Sequence, residues 1–197
     1  LNETFALLAG QQNKVSLHVV NVADRKADDA LPGDVISAHG AVDGIINNAG
    51  IIQPFVRLND LGYDAIERVL NVNLYGVIYM TKAFLPHLLK RPSAHVVNVS
   101  SMGGFFPVPG QSLYGASKAG VKLMTEGLYA ELIDTNVRVT AVFPGAIATN
   151  IATNSDIAMP AGGGDDTGQS FPMTSAEDAA ETIIKGMERD QFQVYVG

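Results

Sequence analysis

Five short runs of β-branched and other apolar residues recur along the chain, each closed by turn residues and separated from the next by a longer stretch with helical spacing. No other feature restricts the fold as strongly. The runs are Val15–Val22 (VSLHVVNV), Val42–Gly50 (VDGIINNAG), Ala94–Ser101 (AHVVNVSS), Val137–Gly145 (VRVTAVFPG) and Phe192–Gly197 (FQVYVG). Each has the length and composition of a strand. Helical spacing predicts helices over Asp28–His39, Asp60–Lys90, Ser112–Thr135 and Ser175–Arg189, and the opening LNETFALLAG reads as a helix finishing near Gly10. Thr174 with Glu177 three residues later predicts a capping box for the last helix. Strands apolar on both faces and alternating with helices imply an α/β fold, a doubly wound parallel sheet with helices on both faces. At 197 residues the chain fits a single domain, residues 1–197.

Composition removes several classes of function. Twenty acidic against thirteen basic side chains leave a net charge of −7, which disfavours a nucleic-acid or anionic-membrane partner. The chain has no cysteine, hence no disulfide framework and no thiolate nucleophile, which agrees with a reducing, cytoplasmic setting. No run of the sequence is long and apolar enough for a membrane span. His18, His39, His87 and His95 are scattered without metal-ligand spacing, so no metal is expected and structural or surface roles are. AGGGDDTGQS (Ala161–Ser170) is rich in glycine but lacks the Gly-Lys-Ser/Thr ending of a phosphate loop.

In a doubly wound sheet, ligands bind beyond the carboxyl ends of the strands. Those ends read Asn21-Val22-Ala23-Asp24, Asn47-Asn48-Ala49-Gly50, Ser100-Ser101-Met102-Gly103 and Pro144-Gly145-Ala146-Ile147-Ala148-Thr149. All are small, polar or glycine-containing, which suits close approach of a flat or phosphorylated ligand. The strand ending at Ser101 leads into the helix carrying Tyr114 and Lys118, four positions apart and therefore neighbours on one face. A phenol titrates near 10 when unperturbed. An ammonium beside it favours the phenolate, so Lys118 is expected to bring Tyr114 toward the working pH for general acid–base catalysis, with Ser101 holding a carbonyl or alcohol oxygen. Such a site moves a proton but supplies no electron pair, so a redox reaction there needs a hydride-carrying cofactor.

The order NNAG, NVN (Asn71–Asn73), VVNVSS, YGASK and PG followed by Thr149, with Tyr114 thirteen positions after Ser101, resembles the classical short-chain dehydrogenase/reductase family. The resemblance runs over nearly the whole chain and implies a Rossmann-like domain acting as an NAD(P)-dependent oxidoreductase, NAD or NADP being left open, on a small-molecule secondary alcohol or ketone. It implies that Asn73, Ser101, Tyr114 and Lys118 form the catalytic set, with Tyr114 as acid or base, Ser101 orienting the substrate oxygen, Lys118 lowering the tyrosine pKa and binding the nicotinamide ribose, and Asn73 anchoring a water in a proton relay. It implies cofactor contacts from Asn21 and Val22 at the adenine, from Asn47, Ala49 and Gly50 along the adjacent ribose, and from Tyr114, Lys118, Pro144, Gly145, Ile147 and Thr149 at the nicotinamide end. The intact catalytic set argues against a non-catalytic nucleotide-binding scaffold, and NNAG with the short region after Thr149 argues against an extended-branch epimerase or dehydratase.

The family's glycine-rich turn and its second strand have no counterpart in this sequence. A preceding βαβ portion is therefore expected before Leu1, and a short tail after Gly197. Without that portion the first strand, Val15–Val22, loses its neighbours and leaves exposed sheet edges. By the same resemblance, residues 150–174 form a substrate lid. Phe105, Phe106, Pro107 and Val108 either line a hydrophobic substrate pocket or pack beneath that lid. The helices 60–90 and 112–135 carry surplus apolar surface that suits a homodimer or homotetramer interface, and Pro86 is expected to kink the first of them near its end.

Overall fold

The computed structural model describes residues 2–8, 10, 14–157 and 173–197. Among the described residues the elements are α1 (Asn2–Leu7), α2 (Arg25–His39), β1 (Gly44–Asn47), α3 (Tyr63–Leu70), α4 (Gly76–Leu88), β2 (Ala94–Val99), α5 (Ser112–Leu132), β3 (Val137–Pro144), α6 (Ile151–Asn154), α7 (Ala176–Glu188) and β4 (Gln193–Val196). The strands form one sheet in the order β1-β2-β3-β4, every pair parallel.

Burying a Val or Leu side chain stabilises by roughly 1.5–3 kcal/mol, and this sheet does so on both faces. On one face Ile45, Val96 and Val139 pack with Phe84 and Leu88 of α4, Leu128 and Leu132 of α5, and Leu31, Val35 and Ile36 of α2. On the other, Val97, Val99, Val142, Val194 and Val196 pack with Ala179, Ile183 and Met187 of α7. That is why β2 and β3 read as continuous apolar runs rather than alternating ones.

The structure departs from the sequence reading in three places. Val15–Val22 is not a strand: residues 15–20 have no regular structure, Val19 is 91% exposed, and the segment ends in a turn where Ala23 donates to Asn21 Oδ1 at 3.1 Å. β-Propensity is realised only when a neighbour completes the ladder, and among the described residues no strand lies beside this one. The outer edge of β1 is open for the same reason, leaving Ile46 half exposed. The predicted helix 60–90 begins only at Tyr63, after a 3₁₀ turn at Leu58–Asp60, and passes through a π turn at Asn71–Tyr75. It continues through Pro86 and stops two residues later, at Leu88. The last helix is capped by Ser175, not Thr174: Ser175 Oγ accepts from the Asp178 amide at 3.0 Å and donates to Asp178 Oδ2 at 2.7 Å. Most of the expected lid, residues 158–172, lies outside the described residues.

Candidate active site

The loop after β2 lies directly on α5 because glycines allow backbone to touch backbone. A Cβ added to Gly104 would sit 3.0–3.1 Å from the Lys118 carbonyl carbon and oxygen and the Ala119 nitrogen, and one added to Gly115 would sit 3.0 Å from the Gly103 oxygen. Ser100, 2% exposed, fastens the same contact by donating its hydroxyl to the Lys118 carbonyl at 2.7 Å. Ser101 caps the 3₁₀ turn Met102–Gly104, its Oγ accepting from the Gly103 amide at 3.0 Å. Gly103 lies between this hydroxyl and the Tyr114 ring: a Cβ there would stand 3.4 Å from Ser101 Oγ and 3.2 Å from Tyr114 Cε1. Thus the serine of the strand end and the tyrosine of the helix meet, as their spacing predicted.

Lys118 is buried, and its ammonium donates to the Val99 carbonyl at 2.9 Å. It lies 5.9 Å from the centroid of the Tyr114 ring. Burial lowers its pKa to about 8, since desolvation disfavours the charged form. The same burial pushes the Tyr114 phenol up, with the Ser101 hydroxyl pulling the other way. This direction is opposite to the one expected from the Tyr114–Lys118 spacing, and enclosure is the larger influence on the phenol.

Asn73 sits within the π turn and is fully buried. Its Oδ1 accepts from the Ile51 amide at 2.8 Å, and its Nδ2 donates to the Ile51 carbonyl at 2.8 Å and to Ser117 Oγ at 3.1 Å. A π turn commonly marks a functional position; here it presents an amide to both polar groups of one residue on a neighbouring loop. Lys118 and Asn73 converge on Gly50, for a Cβ there would stand 3.3 Å from Lys118 Nζ and 3.6 Å from Asn73 Oδ1.

The remaining expected residues fall into two groups. Register aligns Asn47 with Asn98, Val99 with Val142 and Pro144 with Val196, so the Asn47–Gly50, Ser100–Met102 and Pro144–Thr149 segments lie side by side along the sheet's carboxyl edge. Gly145 donates to the Val196 carbonyl at 2.8 Å, and Ile147 bridges to Thr174. Thr149 is exposed. Asn21 accepts from the Ala23 amide in its own turn, and Val22 lines a shallow cleft with Ile46, Gly76 and two residues of that edge, Asn47 and Ala49. The amide nitrogen of Asn47 is already committed, donating to Thr81 Oγ1 at 3.0 Å and Asn98 Oδ1 at 2.8 Å. The histidines are engaged locally, His18 and His39 with Ser16 and His95 with Thr140. Phe105 packs edge-on against the buried Phe143 at 4.8 Å, while Phe106 stays exposed.

Sequence reasoning passed over Gln53, Gln111, Ser117 and Ser155, all polar and buried. The available signal for Gln53 was an amide inside the apolar stretch IIQPF.

The short chain dehydrogenase family model matches residues 1–159. SadH of Mycobacterium tuberculosis H37Rv, named as an oxidoreductase, is 36% identical over 207 aligned residues, covering all of this chain and 73% of its own length. The Thermotoga maritima 3-oxoacyl-[acyl-carrier-protein] reductase FabG is 42% identical over 142 residues, 71% of this chain and 56% of FabG. A short chain dehydrogenase/reductase from Burkholderia phymatum, solved in complex with NAD, superposes with a TM-score of 0.86 at 25% identity, covering 99% of this chain and 75% of that one. Motif order, sheet topology and these matches agree, and the chain belongs to the classical short-chain dehydrogenase/reductase family of oxidoreductases.

Proposed function

We propose that this protein interconverts a secondary alcohol and a ketone with NAD or NADP, Tyr114 exchanging the proton with the substrate oxygen. The carrying observation is that Lys118 and Asn73 meet at Gly50 while Ser101 and Tyr114 meet at Gly103, with the Lys118 ammonium 5.9 Å from the centre of the Tyr114 ring. The residues fit the nicotinamide end of the cofactor. Gly50 leaves space that a Cβ would fill beside Lys118 Nζ, and only one of the three ammonium donors is taken by the Val99 carbonyl. Lys118, Gly50 and the Pro144–Thr149 segment would hold that end, and the cofactor would supply or accept the hydride at the substrate carbon. The NAD in the Burkholderia phymatum complex supports this assignment.

The chain's own groups handle the oxygen. Ser101 Oγ holds the carbonyl in line with the phenol, and Tyr114, kept protonated by burial, donates its proton as the oxygen gains charge. In the oxidation direction the same phenol must first lose its proton. Lys118 and Asn73, both facing Gly50, form the start of a path that replaces it. We further propose that a second copy of the chain covers the groove between α4 and α5, lined by Ile78, Leu85, Leu89, Met124 and Leu128.

Tyr114→Phe tests the central claim. It removes the proton and leaves the fold and nucleotide contacts, so turnover should vanish while NADH or NADPH binding, followed by nicotinamide fluorescence, is retained. In the wild-type protein the reduction rate should fall above about pH 8, where Lys118 loses its charge. Wild-type turnover in the phenylalanine variant would refute the assignment.

A further inference from the structure

Helix α5 begins without a cap of its own: Gln111, at its N-cap position, makes no side-chain cap bond. The first amides of a helix have no partner within it, and here two of them are satisfied from a distant loop. Gln53 Oε1 accepts from the Leu113 amide at 2.7 Å and from the Tyr114 amide at 3.0 Å. Gln53 Nε2 donates to the Gly110 carbonyl at 2.9 Å, and the Gln53 carbonyl accepts from Gln111 Nε2 at 2.7 Å. The residue has no exposed surface.

The loop that delivers Gln53 is itself fixed at each step. Gly50 abuts Lys118 Nζ and Asn73 Oδ1, Ile51 is held at both backbone groups by Asn73, and the Ile52 amide donates to the buried Ser155 Oγ at 3.0 Å. One strap of four residues therefore joins the π turn, the end of α6 and the start of α5. The backbone amide of Tyr114 is bound by a residue 61 positions earlier in the chain.

We propose that Gln53 is a positioning residue for catalysis: by capping α5 from outside, it fixes the Tyr114 phenol against Ser101, which sits on a different element. This rests on the reading of Tyr114 as the proton donor. Without the amide, the Leu113 and Tyr114 N–H groups and the Gly110 carbonyl are left part-buried and lose these partners, a costly state. The first turn relieves it by fraying, which carries the phenol away from Ser101. A carboxylate at position 53 keeps both acceptor bonds and is favoured at a helix N-terminus.

The test compares Gln53→Met, which keeps the shape and loses the bonds, with Gln53→Glu, which keeps the acceptor, in the full chain. Two readouts are taken: kcat and KM for reduction, and the Tyr114 titration by tyrosinate absorbance, obtained as the difference from the same variant carrying Tyr114→Phe. For Gln53→Met we expect kcat to fall by about 10- to 100-fold, KM to hold, and the phenol to titrate lower, because burial is the larger influence on it. Gln53→Glu should recover most of kcat. An unchanged kcat or an unchanged phenol titration in Gln53→Met overturns the proposal, as does a glutamate variant no better than the methionine one. If Gln53→Met does not fold, Gln53→Glu decides alone: near wild-type kcat supports positioning, and loss overturns it. The titration needs no cofactor, so a wild-type protein without turnover would sink the functional reading and still leave Gln53 testable.

Discussion

Asp28 is the most consequential charged group outside the site. It lies in the first turn of α2, has no exposed surface, and among the described residues neither carboxylate oxygen has a hydrogen-bond partner. Burial first, then the charges of Asp24 and Asp29, raise its pKa from 3.8 to about 6. The folded protein thus binds this proton more tightly than the unfolded chain does. The sign follows: folding is not penalised below pH about 4, the penalty grows as pH rises through about 6, and it is complete above that. Two pKa units at 1.36 kcal/mol each make the full penalty about 3 kcal/mol, of which roughly 2 kcal/mol develops between about pH 4.5 and about pH 7.5. Asp28→Asn removes the titration. The buried amide carries a desolvation cost of its own, but that cost does not change with pH, so it cancels when the variant is compared with itself. Urea unfolding of both proteins at those two pH values measures the difference. The variant should gain about 2 kcal/mol on the wild type between them. Parallel pH profiles would refute the reasoning, because they would mean that Asp28 is as well solvated folded as unfolded.

Two further outcomes follow from the packing. Gly104→Ala places a methyl 3.0–3.1 Å from three backbone atoms of α5, none of which can rotate away; stability should drop by about 1–3 kcal/mol and turnover should drop further than folded protein does. Thermal unfolding and activity per folded molecule check this, and an unaffected variant would show that the loop rides freely on the helix. Leu123 on α5 and Ile133 just past its end are 70% and 65% exposed, and if α4 and α5 form the face between copies, Leu123→Lys with Ile133→Lys should lower the mass seen by light scattering. A wild-type protein already monomeric at working concentration would refute that interface.

The fold was legible where a segment's environment could be inferred from its own residues. β2 and β3 are apolar at nearly every position because both faces are covered, and that pattern survives without knowledge of neighbours. Val15–Val22 carries the same propensity and fails, since a ladder requires a partner strand that no local pattern can guarantee. The shift of the last cap from Thr174 to Ser175 is a subtler case: both hydroxyls suit the role and each has a carboxylate three positions on, but the Thr174 backbone is held by Ala146 and Ala148, which leaves Ser175 at the cap.

In the candidate site, proximity was legible and energetics was not. Ser101, Tyr114, Lys118 and Asn73 come together as the motif spacing requires, yet three physical facts about them lie outside any local pattern. The π turn that delivers Asn73 has the same residue types as a regular helix, so periodicity cannot reveal it. Asn47 reads as a ligand contact until Thr81 and Asn98, 34 and 51 positions away, claim its amide. The charge states of Tyr114 and Lys118 depend on enclosure by the loop after β2 and the strap from Gly50 to Gln53. Spacing places an ammonium near a phenol and suggests that the phenol is acidified; enclosure raises the phenol and lowers the ammonium instead. Near neutral pH the phenol therefore keeps its proton, which suits the chain to donating it to a carbonyl oxygen. Running the site toward oxidation requires a charge that favours the phenolate more strongly than burial opposes it.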